Sequence, residues 1–265
     1  MRRLLIRPGA IGDCIVSLPA LEFLRADFTE VWVAGQNAPL VQFADRVRSI
    51  AGTGLDLIEL GQAPPHLFDH LLEFDDIVSW YGAARAEFRQ AVEGLPFRFL
   101  PALPLDARVH ATDFYLQQVG APPGATPCIP VARTRGGYAV IHPFSGSPSK
   151  NWPLSRFQEL TAQLARRLPV HWCAGPEEPL CDAMRFDDLG ALAEWLAGAR
   201  LYVGNDSGIT HLAAAVGAPV VALFGDTDPA VWAPRGRHVE LLQRRPLDQL
   251  GAEEALSVCD QLLAM

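Results

Sequence analysis

A chain of 265 residues, 49% apolar and 20% charged, can bury one large α/β core or two small ones, and its composition is neither fibrous nor disordered. The formal net charge of -8 argues against a general nucleic-acid binder, which would present a basic face to phosphates. Cysteines 14, 128, 173, 181 and 259 keep no paired spacing and read as reduced packing residues. The apolar opening MRRLLIRPGAIGDCIVSLPA is interrupted by Arg7, Asp13 and two prolines before it reaches membrane-spanning length, so a soluble, cytoplasmic protein is expected.

Along the chain, short apolar runs alternate with stretches of helical period, the pattern of βα units feeding a parallel sheet. Residues 4–6 read as a buried strand, 12–26 as a helix carrying Pro19, and 31–34 as the next strand. Weaker strands are expected near 57–60, 76–79 and 97–100, with helices near 83–92 and 109–119. Residues 121–137, APPGATPCIPVARTRGG, are crowded with proline and glycine, which disfavour helix and strand alike and mark a connector. The boundary is placed there, between an N-terminal domain of 1–130 and a C-terminal domain of 131–265. The pattern then restarts with strand 138–142, helix 153–168, strand 170–175, helix 188–198, strand 201–204, helix 209–216 and strand 220–225. A closing helix near 251–264 could pack back on the first domain.

Three segments carry chemistry. The most informative is LYVGNDSGITHLAAAVGAPVVALFGDTDP, residues 201–229, where Ser207 and Gly208 open a helix after a polar turn. Unpaired N–H groups and the positive dipole end of such a helix suit a diphosphate that must approach the backbone. Asp206 could equally be a helix cap. His211 lies on the same helical face as Gly208, within reach of a phosphate or ribose, or is a packing histidine. Thr227 and Asp228 follow another strand end, where a turn role explains them as readily as a sugar contact.

The second segment, VIHPFSGSPSKNWPLSRF at 140–157, sends Ser145, Ser147 and Lys150 off the carboxyl end of a strand, where open α/β sheets bind ligands. Lys150 is the candidate phosphate cation, against the reading of a solvated surface lysine. Glu177 and Glu178, in the GPEEP turn after the 170–175 strand, could meet ribose hydroxyls or simply be solvated. The third segment, RPGAIGDCIVSLPA at 7–20, turns on Gly9 and Gly12 but lacks the third glycine and the acidic partner of a nicotinamide site. It leaves Asp13 in the first turn of a helix, where it could act on a substrate or interact with the dipole.

Taken together and in order, GAIGD, HPFSGSPSKNWP and GNDSGITHLAAAVGAPVVALFGDTDP resemble the blocks of glycosyltransferase family 9, the ADP-heptose:lipopolysaccharide heptosyltransferases. The resemblance implies an α/β fold of the GT-B type, two facing Rossmann-like domains with a cleft between them, binding donor on the C-terminal domain and acceptor on the N-terminal one. It implies an inverting transfer without metal or other cofactor from a nucleotide-diphosphate sugar, ADP-heptose, to a glycan or glycolipid acceptor of the lipopolysaccharide core. Matched block to block, Asp13 would be the general base and Lys150 the diphosphate cation. Asp206, Ser207, Gly208 and His211 would form the donor-binding turn, with Ser145 and Ser147 as looser candidates. Such a protein would work in the cytoplasm, with room for peripheral contact at the inner membrane and no nucleic-acid partner. The chain is shorter than typical members, and the shortfall falls between residues 36 and 120, on the acceptor side.

Rival readings are a nucleotide-sugar epimerase or hydrolase of the same fold, a non-catalytic nucleotide-sugar-binding protein, and a Rossmann oxidoreductase. His66 and His70, spaced i, i+4 in HLFDH, lack a third ligand, so no metal is expected. Trp152, Trp195 and Trp232 read as packing residues.

Overall fold

The computed structural model describes residues 1–104, 108–132 and 136–265. Residues 133–135 of the expected connector therefore lie outside the described residues. The chain divides into two compact units, Met1–Asp106 with Ala111–Ala125, and Ala107–His110 with Thr126–Met265.

The first unit holds β1 (Arg2–Ile6), α1 (Ile11–Phe23), β2 (Phe28–Val33), β3 (Arg46–Ser49), α2 (Pro65–Leu71), β4 (Asp76–Ser79), α3 (Ala86–Ala91), β5 (Phe97–Phe99) and α4 (Ala111–Gln118). Its five strands run in the order β3-β2-β1-β4-β5, every pairing parallel. Leu4, Leu5 and Ile6 are fully buried because helices cover both faces of a parallel sheet, which is why the strand reads as a continuous apolar run. The order reverses between β1 and β4, where Ile6 lies level with Ser79. At such a switch point the connections depart to opposite faces and leave a crevice beyond the carboxyl ends.

The strand expected near 57–60 is instead a 3₁₀ turn over Leu55–Leu60. Gly54 and Gly61, at φ 77° and 66°, turn the chain at either end, and the residues it buries, Leu55 and Ile58, are three apart, the 3₁₀ period rather than the strand period of two. The strand at Arg46–Ser49 escaped the reading because it is a polar edge strand with no apolar run.

The second unit holds β6 (Ala139–His142), α5 (Leu154–Leu164), β7 (Val170–Trp172), α6 (Leu189–Ala197), β8 (Leu201–Asn205), α7 (Gly208–Ala215), β9 (Val220–Phe224), α8 (Pro229–Trp232), β10 (Val239–Gln243) and α9 (Ala252–Leu263). The sheet order is β10-β9-β8-β6-β7, again parallel throughout. Helix α5 buries Phe157, Leu160 and Leu164, and α9 buries Ala252, Ala255, Cys259 and Leu262; both stripes follow helical spacing and close on the same core. The switch point here lies between β6 and β8, and His142 pairs opposite Gly204 at the carboxyl end. The loops after these two strands therefore emerge side by side. Strand β10, VELLQ, is also an edge strand, and with Glu240 and the apolar Leu241 both exposed it shows neither the unbroken burial nor the alternation of a central strand. Among the described residues no helix is long and apolar enough to cross a membrane.

Candidate functional site

Strand β8 is buried along its whole length and delivers Asn205 to the switch point. Asn205 is fully buried; its amide nitrogen donates to Pro143 O at 2.8 Å and its Oδ1 accepts the Trp152 N–H at 2.9 Å. One carboxamide thus ties the end of β8 to both ends of the loop that leaves β6. Gly204 is needed just before it, because a Cβ there would stand 2.6 Å from the Tyr202 hydroxyl. That hydroxyl lies 3.1 Å from Thr210 Oγ1 in the first turn of α7.

The residues that follow form the turn singled out in the sequence. Asp206 is buried, and its Oδ2 accepts the Lys150 ammonium at 2.8 Å. Ser207 is the N-cap of α7, its Oγ accepting from Thr210 N at 3.3 Å. That cap answers one of the unpaired N–H groups of the helix end and leaves the opening amides of α7, from half-buried Gly208 onward, at the carboxyl edge of the sheet. His211 is buried one turn further on. Lys150, Asp206, Ser207, Gly208 and His211 are thus brought together, although 56 residues separate the lysine from its carboxylate.

Ser145 and Ser147 belong to the same loop and are engaged with it. Ser145 Oγ lies 2.8 Å from Ser147 O and 2.7 Å from Asn151 Oδ1, while Ser147 Oγ lies 2.9 Å from Ser149 Oγ. In the GPEEP turn, Glu177 is exposed, and Glu178 is the carboxylate the fold engages. It accepts the Gly175 N–H at 2.6 Å and faces His142 Nε2 at 3.3 Å. Burial alone would raise the Glu178 carboxyl, but His142, the Gly175 amide and Arg185 outweigh it and hold the group below its usual range. After β9, Asp228 caps α8 by accepting from Ala230 N at 2.9 Å, and Gln243 donates to Gly225 O at 3.1 Å, steadying the turn that carries Thr227.

In the first unit, Asp13 lies in the first turn of α1, at the switch point after β1. Its Oδ2 accepts the Ala10 N–H at 3.3 Å. Gly9 adopts φ 148°, and a Cβ there would come within 3.0 Å of both Arg7 Nη1 and Asp13 Cβ. Gly12 is the second residue of α1. Arg7, 3% exposed, donates from Nη2 to the Tyr115 hydroxyl at 2.7 Å. Fully buried Asn37 donates to Gly9 O at 3.1 Å.

His70 is drawn inward to the buried carboxylate of Glu30, at 3.1 Å, which also accepts from Trp32 Nε1 and Arg48, whereas His66 is exposed. The two histidines are therefore not a facing pair. A hollow of about 670 Å³ in the second unit lies at the amino ends of its strands, lined by Gly137, Pro219 and His238 among others. It is remote from the switch point, and its Arg200 is engaged by Leu263 O at 3.0 Å.

Sequence reading passed over Asn205, Asn151, His142, Arg7, Tyr115 and Asn37. A charged residue closing an apolar strand, as Arg7 closes LLI, was the available signal for one of them. Tyr115 and Asn37 carry none, since their roles depend on pairings distant in sequence.

The sequence model of glycosyltransferase family 9 (heptosyltransferase) matches residues 121–253. The chain is similar to lipopolysaccharide heptosyltransferase 1 of Escherichia coli K12, 29% identical over 143 residues, 49% of this chain and 44% of that protein. It is similar also to lipopolysaccharide heptosyltransferase 3 of Escherichia coli, 32% identical over 117 residues, 37% of this chain and 34% of that protein. The match thus spans less than half the length of these relatives. Among solved structures, E. coli ADP-heptose LPS heptosyltransferase II superposes with a TM-score of 0.77 at 17% identity, covering 100% of this chain and 99% of that one. An E. coli heptosyltransferase solved with ADP gives 0.71 at 18% identity, covering 99% and 100%. At such identities the likeness is one of fold, and that fold is the two-domain α/β arrangement expected from the sequence.

Proposed function

This chain belongs to glycosyltransferase family 9, and from that membership we propose that it is an inverting, metal-independent glycosyltransferase moving heptose from ADP-heptose to a lipopolysaccharide-core or related glycan acceptor. The observation that carries the reading is the Lys150 ammonium, held 2.8 Å from Asp206 beside the N-terminus of α7 at a sheet switch point. A flexible cation next to open helix amides matches a departing nucleoside diphosphate, whose charge grows as the glycosidic bond breaks.

In the reaction, an acceptor hydroxyl attacks the anomeric carbon from the face opposite the diphosphate. The new carbon–oxygen bond forms as the bond to the β-phosphate oxygen breaks, through an oxocarbenium-like state. The hydroxyl proton passes to the Asp13 carboxylate, and the electron pair of the broken bond leaves with ADP. Lys150 and the first amides of α7 take up the diphosphate charge, so a divalent cation has no required part. Glu178, with Glu177 as the exposed alternative, meets the ribose, and Thr227 and Asp228 face the sugar. The site would act in the cytoplasm, meeting a glycolipid acceptor at the inner membrane face.

The deciding experiment is a thermal-stability panel of ADP, UDP, GDP and dTDP, in buffer with EDTA. ADP should stabilise the protein by binding the folded state alone. Stabilisation by UDP or dTDP without ADP would overturn the donor, and stabilisation that returned only with a divalent cation would overturn metal independence.

A further inference from the structure

We propose that Arg7 and Tyr115 form a clamp that positions Asp13, making α4 a working part of the acceptor-side machinery. The inference rests on the reading of Asp13 as the base. Charged side chains are seldom fully buried without dedicated partners, yet Arg7 is 3% exposed at the end of β1. Its guanidinium is spent on the turn rather than on the carboxylate. Nη1 donates to Pro8 O, and Nη2 donates to the backbone carbonyl of Asp13 itself, at 3.3 Å, and to the Tyr115 hydroxyl, at 2.7 Å. The nearest carboxylate oxygen, Asp13 Oδ1, stands at 4.0 Å. A structural arginine–carboxylate pair is commonly a two-pronged contact that occupies both oxygens. Here the backbone of Asp13 is held by a hydrogen bond, while Oδ1 has only the long ion pair to the guanidinium and the side chain is 27% exposed.

Tyr115 is fixed in turn. Its hydroxyl donates to Ala102 O at 2.7 Å while accepting from Arg7, its ring centroid lies 4.9 Å from the guanidinium carbon, and the ring makes a T-shaped contact with Trp80. Trp80 Nε1 donates to Gln118 Oε1 at 2.7 Å, so α4 is pinned at two points one turn apart. Burial raises the Tyr115 phenol further above its ordinary value, so the hydroxyl is a donor to Ala102 O at neutral pH. On the other side, Asn37 holds the Gly9 carbonyl at 3.1 Å, and the bare α-carbon of Gly9 lets Arg7 and Asp13 close to within 3.0 Å of where a Cβ would sit. The β1–α1 turn is thereby gripped by Arg7 at its start, by the segment after β2, and by a helix residue 108 positions along the chain from Arg7.

The test compares Tyr115→Phe, Arg7→Lys and Asp13→Asn in transfer from ADP-heptose to truncated lipopolysaccharide core, with ADP binding measured by calorimetry. Tyr115→Phe keeps the ring and removes only the hydroxyl; Arg7→Lys keeps the charge but cannot reach both the Tyr115 hydroxyl and the Asp13 carbonyl. Each should lower kcat about tenfold, the scale of a small misplacement of a reacting group, with donor KM and ADP affinity unchanged within about twofold. A purely structural role would lower the melting temperature and leave kcat of the folded enzyme alone, and that result, or a rise in donor KM at unchanged kcat, overturns the clamp. If Asp13→Asn abolishes transfer while both other variants retain it, the clamp alone is wrong. If Asp13→Asn itself retains transfer, the assignment of the base is what fails.

Discussion

Replacing Lys150 by methionine isolates the electrostatic step on which the proposed donor site depends. The side chain is 41% exposed and pairs at 2.8 Å with Asp206, whose side chain is 8% exposed. Solvent screening of so open a lysine limits the contribution of the pair itself to about 1 kcal/mol. For ADP the loss is larger, because a charge-assisted hydrogen bond contributes about 1.5–3 kcal/mol, or about 10- to 100-fold in affinity. At an ADP concentration about 100 times the wild-type Kd, the wild type gains about 2.7 kcal/mol from binding, whereas the variant gains only about 0.4–1.4 kcal/mol. With about 2–4 °C per kcal/mol for a chain near this size, the ADP-induced rise in Tm should fall from about 5–11 °C to about 1–6 °C. Asp206 sharpens the test. Once Lys150 is gone its carboxylate stands unpaired beside the bound phosphates, so adding Asp206→Asn to Lys150→Met should restore part of the lost affinity, a coupling of about 0.5–3 kcal/mol. Differential scanning fluorimetry with and without ADP, followed by calorimetric Kd values, makes the measurement. An ADP response unchanged in Lys150→Met, or strictly additive effects in the double variant, would refute the placement of a diphosphate at this pair.

The pH dependence of stability should carry a contribution from Glu178. Its carboxyl is held below the ordinary 4.5 in the folded protein, so its stabilisation is present above about pH 4.5 and is lost as pH falls through the lower folded-state value. Glu178→Gln should flatten the acid limb of a Tm-versus-pH curve below about pH 4.5 without altering the plateau shape, and an unchanged limb would contradict the hydrogen-bonded placement. The thiols make a second check: burial pushes Cys14, Cys173 and Cys259 up to about 12, whereas Cys128 and Cys181 are exposed. Ellman's reagent should therefore titrate two groups in the native protein and five in denaturant, and a native count above two would show that one of the buried thiols is not packed as described.

The way the chain divides into legible and illegible parts follows from how a parallel sheet is built. Central strands such as β1, β6, β8 and β9 are covered on both faces, so their burial is written as unbroken apolar runs, and most helices between them announce themselves by period. Edge strands escape that signature: β3 is RVRS, with one half-buried and three exposed residues, and β10 leaves Glu240 and Leu241 exposed. The apolar run near 57–60 misled because isolated Leu and Ile carry no period until Gly54 and Gly61 are known to turn the chain. The candidate site shows the same limit at higher stakes. Residue types at helix starts, Asp13, Ser207 and Gly208, were readable because the backbone at a strand-to-helix turn restricts what can sit there. The pairings were not. Lys150 meets Asp206 only because β8 enters the sheet beside β6 while β7 is displaced to the far side, and Arg7 meets Tyr115 only because α4 packs on α1. Local sequence therefore names which groups can do chemistry, whereas strand order decides which of them share a place. Asn205 links the two levels: it adjoins the legible turn, yet its hydrogen bonds to Pro143 and Trp152 depend on the reversal of strand order, so Asn205→Asp, retaining size while replacing the amide donor with a carboxylate facing the Pro143 carbonyl, should separate the loops that the switch point brings together.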